Sequence, residues 1–195
     1  MTKLIKKISV PLISLIFLLN MSSAGMAETT VSAEVGFIFN TLLFLICGFL
    51  VFFMACGFAM LESGMVTSKS VSVICAKNIG LISISGIMFW MFGYNLAYGI
   101  PEGGYIGSFI PWSDASAVDT GYSDGSDWYF QMVFCATTVS IVSGTLAERI
   151  KLWPFCLCAA MLSGILYPIV MGWQWGGGWL ASIGFSDFAG STLVH

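Results

Sequence analysis

The chain has 195 residues, of which 57% are hydrophobic and 9% charged, with a net charge of −3 at pH 7. Soluble domains carry roughly 25% charged residues, so this composition reads as an all-α integral membrane protein. It shows no basic patch, heptad run or nucleic-acid motif, and no nucleophile–base pair, metal cluster or cofactor loop. It therefore predicts neither a nucleic-acid partner, an enzyme nor a cofactor.

In chain order, the first element reads as a processing segment. Lys3, Lys6 and Lys7 precede the apolar run "ISVPLISLIFLLN" and the small residues "SSAGMA", the pattern of a secretory signal over residues 1–27 with cleavage before Glu28. The alternative is an uncleaved extra helix. Residues 28–195 then form one transmembrane domain. Uncharged runs predict spans near 35–61, 79–100, 128–148 and 152–172, and an incomplete fifth over 187–195, against about 20 residues per crossing. Lys69 and Lys77 lie between spans one and two, and Arg149 and Lys151 between spans three and four. The base-free loop with Glu102, Asp114, Asp119, Asp124 and Asp127 lies between spans two and three. Bases gather on the cytoplasmic side, so the mature N-terminus is expected outside a multi-pass protein of the cell membrane. The six cysteines read as small buried hydrophobes without a disulfide framework, five in spans and Cys75 in a loop.

Three features carry chemistry. On a fifth helix, Asp187, Ser191 and His195 would stand at i, i+4 and i+8 on one face. His195 is the only histidine of the chain and its last residue. Such a polar stripe faces a cavity or pathway, or serves as interhelical packing glue. On the third helix Phe130, Phe134 and Thr138 share a face, which reads as core or interfacial belt before any function. The stretch "WQWGGGW" reads as an interfacial tryptophan belt, or as a π-face at the mouth of a pathway for a small cation. A cation over tryptophan gains ~0.5–1 kcal/mol exposed and ~2 or more when desolvated.

The segments "GFAMLESGMVTSKS", "GYNLAYG", "VSGTLAERIK" and "WGGGWLASIGFSDFAGSTLVH" together resemble the ammonium transporter (Amt) family, nearer to Amt proper than to the Rhesus proteins, which lack a tryptophan at the place of Trp175. The resemblance covers residues 35–195. It implies the first half of an eleven-helix inverted-repeat fold, with four spans and the start of a fifth, as an N-terminal fragment of a homotrimer with one pore per protomer. By position, Trp175 matches the tryptophan that holds ammonium at an outer recruitment site. Phe134 matches the phenylalanine that flanks this site and gates the pore, and Phe130 a nearby outer phenylalanine. Asp187 matches a buried aspartate near the site that matters for cation binding and local structure, and His195 the first of two pore histidines; the resemblance implies transport and proton relay for both. Glu148 and Arg149 match a structural "AER". The second histidine, the second gating phenylalanine and the hydroxyl that completes the outer site belong to later helices.

The implied function is transport. Ammonium is recruited at the aromatic site, sheds a proton, and crosses an apolar pore as ammonia, a route closed to potassium. The alternative is an ammonium sensor coupled to a signalling partner or fused kinase. Expected partners are ammonium or ammonia, the lipid bilayer, other protomers and a cytoplasmic regulatory protein.

Overall fold

The computed structural model describes residues 32–195; the signal segment expected over residues 1–27 lies outside the described residues. The described secondary structure is helical throughout. Helix α1 runs over Ala33–Met65 and α2 over Val71–Tyr98. After a loop containing the short 3-10 turn Val118–Thr120, α3 spans Asp124–Thr145. Helix α4 covers residues 152–174, and the short α5 is Trp179–Ser182.

Three segments are long and apolar enough to cross a membrane: Ala33–Met65, Val71–Tyr98 and Leu152–Ser182. Helix α3 has 22 residues, or ~33 Å, but its acidic first turn and many hydroxyls lower its hydropathy. It compensates by burial. Helix α1 lies mainly along α3, which also meets α2 and the middle of α4. The hydroxyls of Thr137 and Ser140 bond to carbonyls one turn back, so they burden the interior little. In α1 only Gly48 and Glu62 are buried, while Phe39, Leu43, Leu50 and Phe53 stand exposed. An apolar, outward-facing helix of this kind has lipid as its solvent.

Both α2 and α4 are interrupted by a π turn, Phe89–Gly93 and Leu162–Leu166, and the two turns pack together. Close approach is the reason for glycine here. A Cβ on Gly93 would lie 2.6 Å from Phe89 and 3.2 Å from the Ser163 carbonyl, and one on Gly164 would lie 2.6 Å from Met88. Nearby, Phe89, Val133, Cys135, Tyr167 and Met171 form the larger apolar core, and Leu81, Val139, Phe155 and Ala159 a second one.

Helix α2 begins at Val71 rather than near residue 79, and α1 continues through Glu62 to Met65. The polar stretch between them was expected as a loop because it holds Glu62, Lys69 and Lys77. Instead Glu62 and Lys77 are 3% and 4% exposed and pair with each other, with Lys77 Nζ 2.8 Å from Glu62 Oε2. Lys77 also donates to the Ser143 carbonyl at 2.8 Å and sits 5.1 Å from the Phe155 ring centroid. Opposite charges within one bundle let both helices run on. Cys75 consequently lies in α2 rather than in a loop.

Candidate functional site

The candidate site is an aromatic recess of about 590 Å³ at the end of the bundle that bears the acidic loop. Helix α3 contributes Phe130 and Phe134 one turn apart, their rings edge to face at 5.1 Å. Phe44 of α1 lies 5.4 Å from Phe130. Trp175, just past α4, closes the row with its ring 6.0 Å from Phe134 at 70°. Edge-to-face contacts of this kind order the rings while covering only one face of one ring in each pair. Tyr98, Gln131, Phe188 and Ala189 complete the lining.

Trp175 is fixed from three sides. Its backbone N–H donates to the Met171 carbonyl at 2.8 Å, and its indole N–H to the Asp187 carbonyl at 2.7 Å. Gly190, at φ +82°, lies so close that a Cβ would come within 3.0 Å of the indole. The neighbouring glycines have their own reasons. Gly177 takes φ +75°, while Gly176 and Gly178 press on the carbonyls of Ala97 and Gly104. Gly103 and Trp179 then exchange backbone bonds with Gly177 and Gly104, and Trp173 donates to the Tyr105 carbonyl at 2.7 Å. The tryptophan–glycine stretch is a packed junction with the loop after α2.

Asp187 is buried, and its carboxylate accepts from four backbone N–H groups. Gly190 and Ser191 donate to Oδ1 at 2.8 and 3.0 Å, and Thr192 and Leu193 to Oδ2 at 2.8 and 3.0 Å. A carboxylate has about four acceptor positions, so the backbone fills them. Helical bonding starts only beyond, where the Val194 N–H donates to the Gly190 carbonyl at 2.8 Å. The expected helix beginning at Asp187 is therefore displaced. Gly190 in the left-handed region breaks the i, i+4, i+8 stripe, and Asp187, Ser191 and His195 do not share a helical face. His195 is exposed, with its backbone N–H bonded to Gly190 and its imidazole not in the recess lining.

Sequence reasoning missed the support behind the recess. Asp127, placed in the acidic loop, is instead buried in the first turn of α3 and accepts from the Tyr94 hydroxyl at 2.6 Å. Gln131 donates to its other oxygen at 3.3 Å. The i, i+4 spacing of Asp127 and Gln131 carried that signal. At the opposite, basic end, Glu148 takes φ 60° and accepts from the Thr67 N–H at 2.9 Å and hydroxyl at 2.6 Å. These bonds join the α1–α2 and α3–α4 connections, and they hold the exposed Glu148 carboxyl below its ordinary range.

The Ammonium Transporter Family profile matches residues 42–195. A relative from Synechocystis is 40% identical over 173 residues, covering 86% of this chain and 39% of its own length. Ammonium transporter Amt2 of Archaeoglobus fulgidus is 39% identical over 161 residues, covering 77% of this chain and 34% of its own. The chain thus spans well under half the length of these curated relatives. The solved structure of the Sensor Amt Protein superposes with a TM-score of 0.73 at 32% identity, over 80% of this chain and 40% of that one. The relatives are transporters rather than enzymes, and this chain belongs to the ammonium transporter family.

Proposed function

We propose that the chain supplies the cation-recruiting half of an ammonium transport pathway. The observation that carries this reading is Trp175, pinned by the Asp187 carbonyl and set edge-to-face against Phe134 at the mouth of an aromatic recess. Trp175, Phe134 and Phe130 hold the ammonium cation by their π-faces, weakly enough to release it. Deprotonation follows, because an ion pays several kcal/mol or more to enter the apolar core and ammonia does not. Phe134 stands between the recess and that core. His195 receives ammonia or relays its proton, since an imidazole can both donate and accept. Asp187 acts through structure, holding the backbone of residues 190–193 and, through Gly190, the indole.

In this reading α3 crosses the membrane with the other three long helices, as half of an inverted repeat. Lys69, Arg149 and Lys151 face the cytoplasm, the aromatic recess faces outward, and the mature N-terminus after signal cleavage is outside. The apolar outer surface of α1 serves lipid and the other protomers of a homotrimer in the cell membrane, where the protein takes up nitrogen.

The test is methylammonium uptake in a transport-deficient cell expressing the full-length protein. Uptake that exceeds the empty-vector level, and that falls in Trp175→Leu and His195→Ala, is the expected result. No uptake, or uptake indifferent to both substitutions, overturns the proposal. The sensor reading draws on the likeness to the Sensor Amt Protein. It calls for ammonium binding at Trp175 without flux and for a soluble signalling domain or partner.

A further inference from the structure

The face of α1 and α3 that carries the aromatic recess carries a second recess at the basic end. Along α3, Phe130 and Phe134 line the first, and Ile141, Gly144 and Thr145 the second. Along α1, Phe44 lines the first, and Phe58 and Met65 the second. These intervals are close to whole helical turns, so both recesses open on one side. Phe134 and Thr145 are ~16 Å apart along the helix. The second recess has a volume of about 580 Å³.

Its wall contains the Glu62 carboxylate, the acidic member of the buried ion pair. Oε2 accepts from Lys77 at 2.8 Å and from Asn78 at 3.4 Å, and Oε1 accepts from the Ser143 hydroxyl. Of about four acceptor positions on a carboxylate, the one still open is on Oε1. Gly144 is the residue beside that oxygen: a Cβ there would stand 3.8 Å from it, in ordinary contact. Lys77 instead lines a separate, smaller recess with Lys69 and Phe155. The pair thus presents its negative member to the α1–α3 face and its positive member to the other recess.

We infer that the second recess is a cation subsite in which Glu62 Oε1 accepts an N–H from ammonium or a small primary alkylammonium. Phe58, Leu61, Met65 and Ile141 supply apolar walls, and Glu148 and Arg149, of opposite charge, also line the recess. One carboxylate oxygen among such walls suits an N–H donor, whereas a bare alkali ion needs a ring of oxygens to replace its hydration shell. Lys77 and Ser143 are positioning residues: one supplies the counter-charge a buried carboxylate requires, and the other fixes its orientation. The inference rests on the ammonium-transport reading and adds to it a stopping point on the same face, at the end where cargo leaves.

The experiment uses the full-length protein in oriented liposomes, with radiolabelled methylammonium supplied from either side. Gly144→Leu covers Oε1 while leaving the ion pair intact. The double variant Glu62→Gln/Lys77→Gln removes both charges together, so no lone buried charge remains. The aromatic recess is followed separately by the part of the ammonium-induced tryptophan quench that Trp175→Phe abolishes. Both variants are expected to raise the half-saturating concentration from the basic side by about tenfold, the loss of one charge-assisted bond. The Trp175 quench should keep its midpoint. Unchanged half-saturation from the basic side in Gly144→Leu overturns the inference, and so does a quench that shifts by the same factor. Should the double variant not fold, Gly144→Leu decides alone. Wild-type protein that moves no methylammonium from either side fails the transport reading instead, and ammonium protection of Glu62 from carbodiimide labelling then still decides the subsite.

Discussion

Trp175 combines two properties that substitution can separate, a π-face toward the recess and an N–H fixed on the Asp187 carbonyl. Trp175→Phe keeps a face but abandons the bond, which is worth ~1 kcal/mol net. Trp175→Leu loses both, and with the face goes the ~0.5–2 kcal/mol of cation–π attraction. Methylammonium uptake by the full-length protein should therefore show a half-saturating concentration raised several-fold in the phenylalanine variant and further in the leucine variant. Equal effects would mean that the ring face contributes nothing. Asp187 poses the complementary question. Its two oxygens hold four N–H groups, and an asparagine has only one acceptor oxygen to offer them. Asp187→Asn should speed amide exchange at residues 190–193 and lower uptake together, leaving exchange in α1 unchanged. Lost uptake with unaltered exchange would show that Asp187 acts on the cargo directly. Spacing places Phe130 and Phe134 on one face, one helical turn apart whatever surrounds them, but by itself it reads that face as core or interfacial belt, and only the family resemblance points to a site. The supposed stripe of Asp187, Ser191 and His195 was not readable from spacing, because it assumed a helix through Gly190, whose φ of +82° is a property no periodicity reports.

At the scale of elements, the π turns of α2 and α4 set how closely those helices pack, and their two glycines differ in what blocks a methyl group. At Gly164 the obstacle is the flexible end of Met88, whereas at Gly93 it is the Phe89 ring, Pro168 and the Ser163 carbonyl. Overpacking costs ~1–3 kcal/mol, so Gly93→Ala should lower the thermal midpoint in detergent clearly and Gly164→Ala much less. A reversed order would contradict the packing described. The connections at the basic end depend on pH through Glu148. The Thr67 hydroxyl and N–H favour its ionised form and hold its folded carboxyl below the ordinary value of 4.5. The contribution is therefore complete above about pH 4.5 and disappears as pH falls through the lower folded value. The protection factor of the Thr67 amide should drop on acidification in the wild type and be low and flat in Glu148→Gln; a drop that persists in the variant would assign the dependence elsewhere. Helix limits were less legible than helix existence. Glu62 and Lys77 look like loop residues to any hydropathy average, and only their contact across α1 and α2 neutralises them. Charge in a sequence carries no mark of its partner.

For the molecule as a whole, apolar composition marks a membrane protein, since lipid demands long apolar helices, and the uneven placement of bases gives an expected orientation, since translocation sorts lysine and arginine. What composition left unread is the acidic side of the same asymmetry. The loop after α2 is no loose acidic tether: Asn95 donates to the carbonyls of Ile110 and Pro111, Trp112 bonds back to Trp90, and Asp114 accepts from Ser116. Orientation can be decided with two exposed positions at opposite ends, Ser68 between α1 and α2 and Asp119 between α2 and α3. In a cysteine-free background of the full-length protein, Ser68→Cys and Asp119→Cys present one thiol each, away from both recesses. A membrane-impermeant maleimide should label the Asp119 position in intact cells and the Ser68 position only after permeabilisation. The reverse pattern would turn the aromatic recess toward the cytoplasm and place Glu62 at the entrance. Labelling of both in intact cells would mean that α2 does not cross the bilayer, removing the ground for treating the two recesses as opposite ends of one pathway.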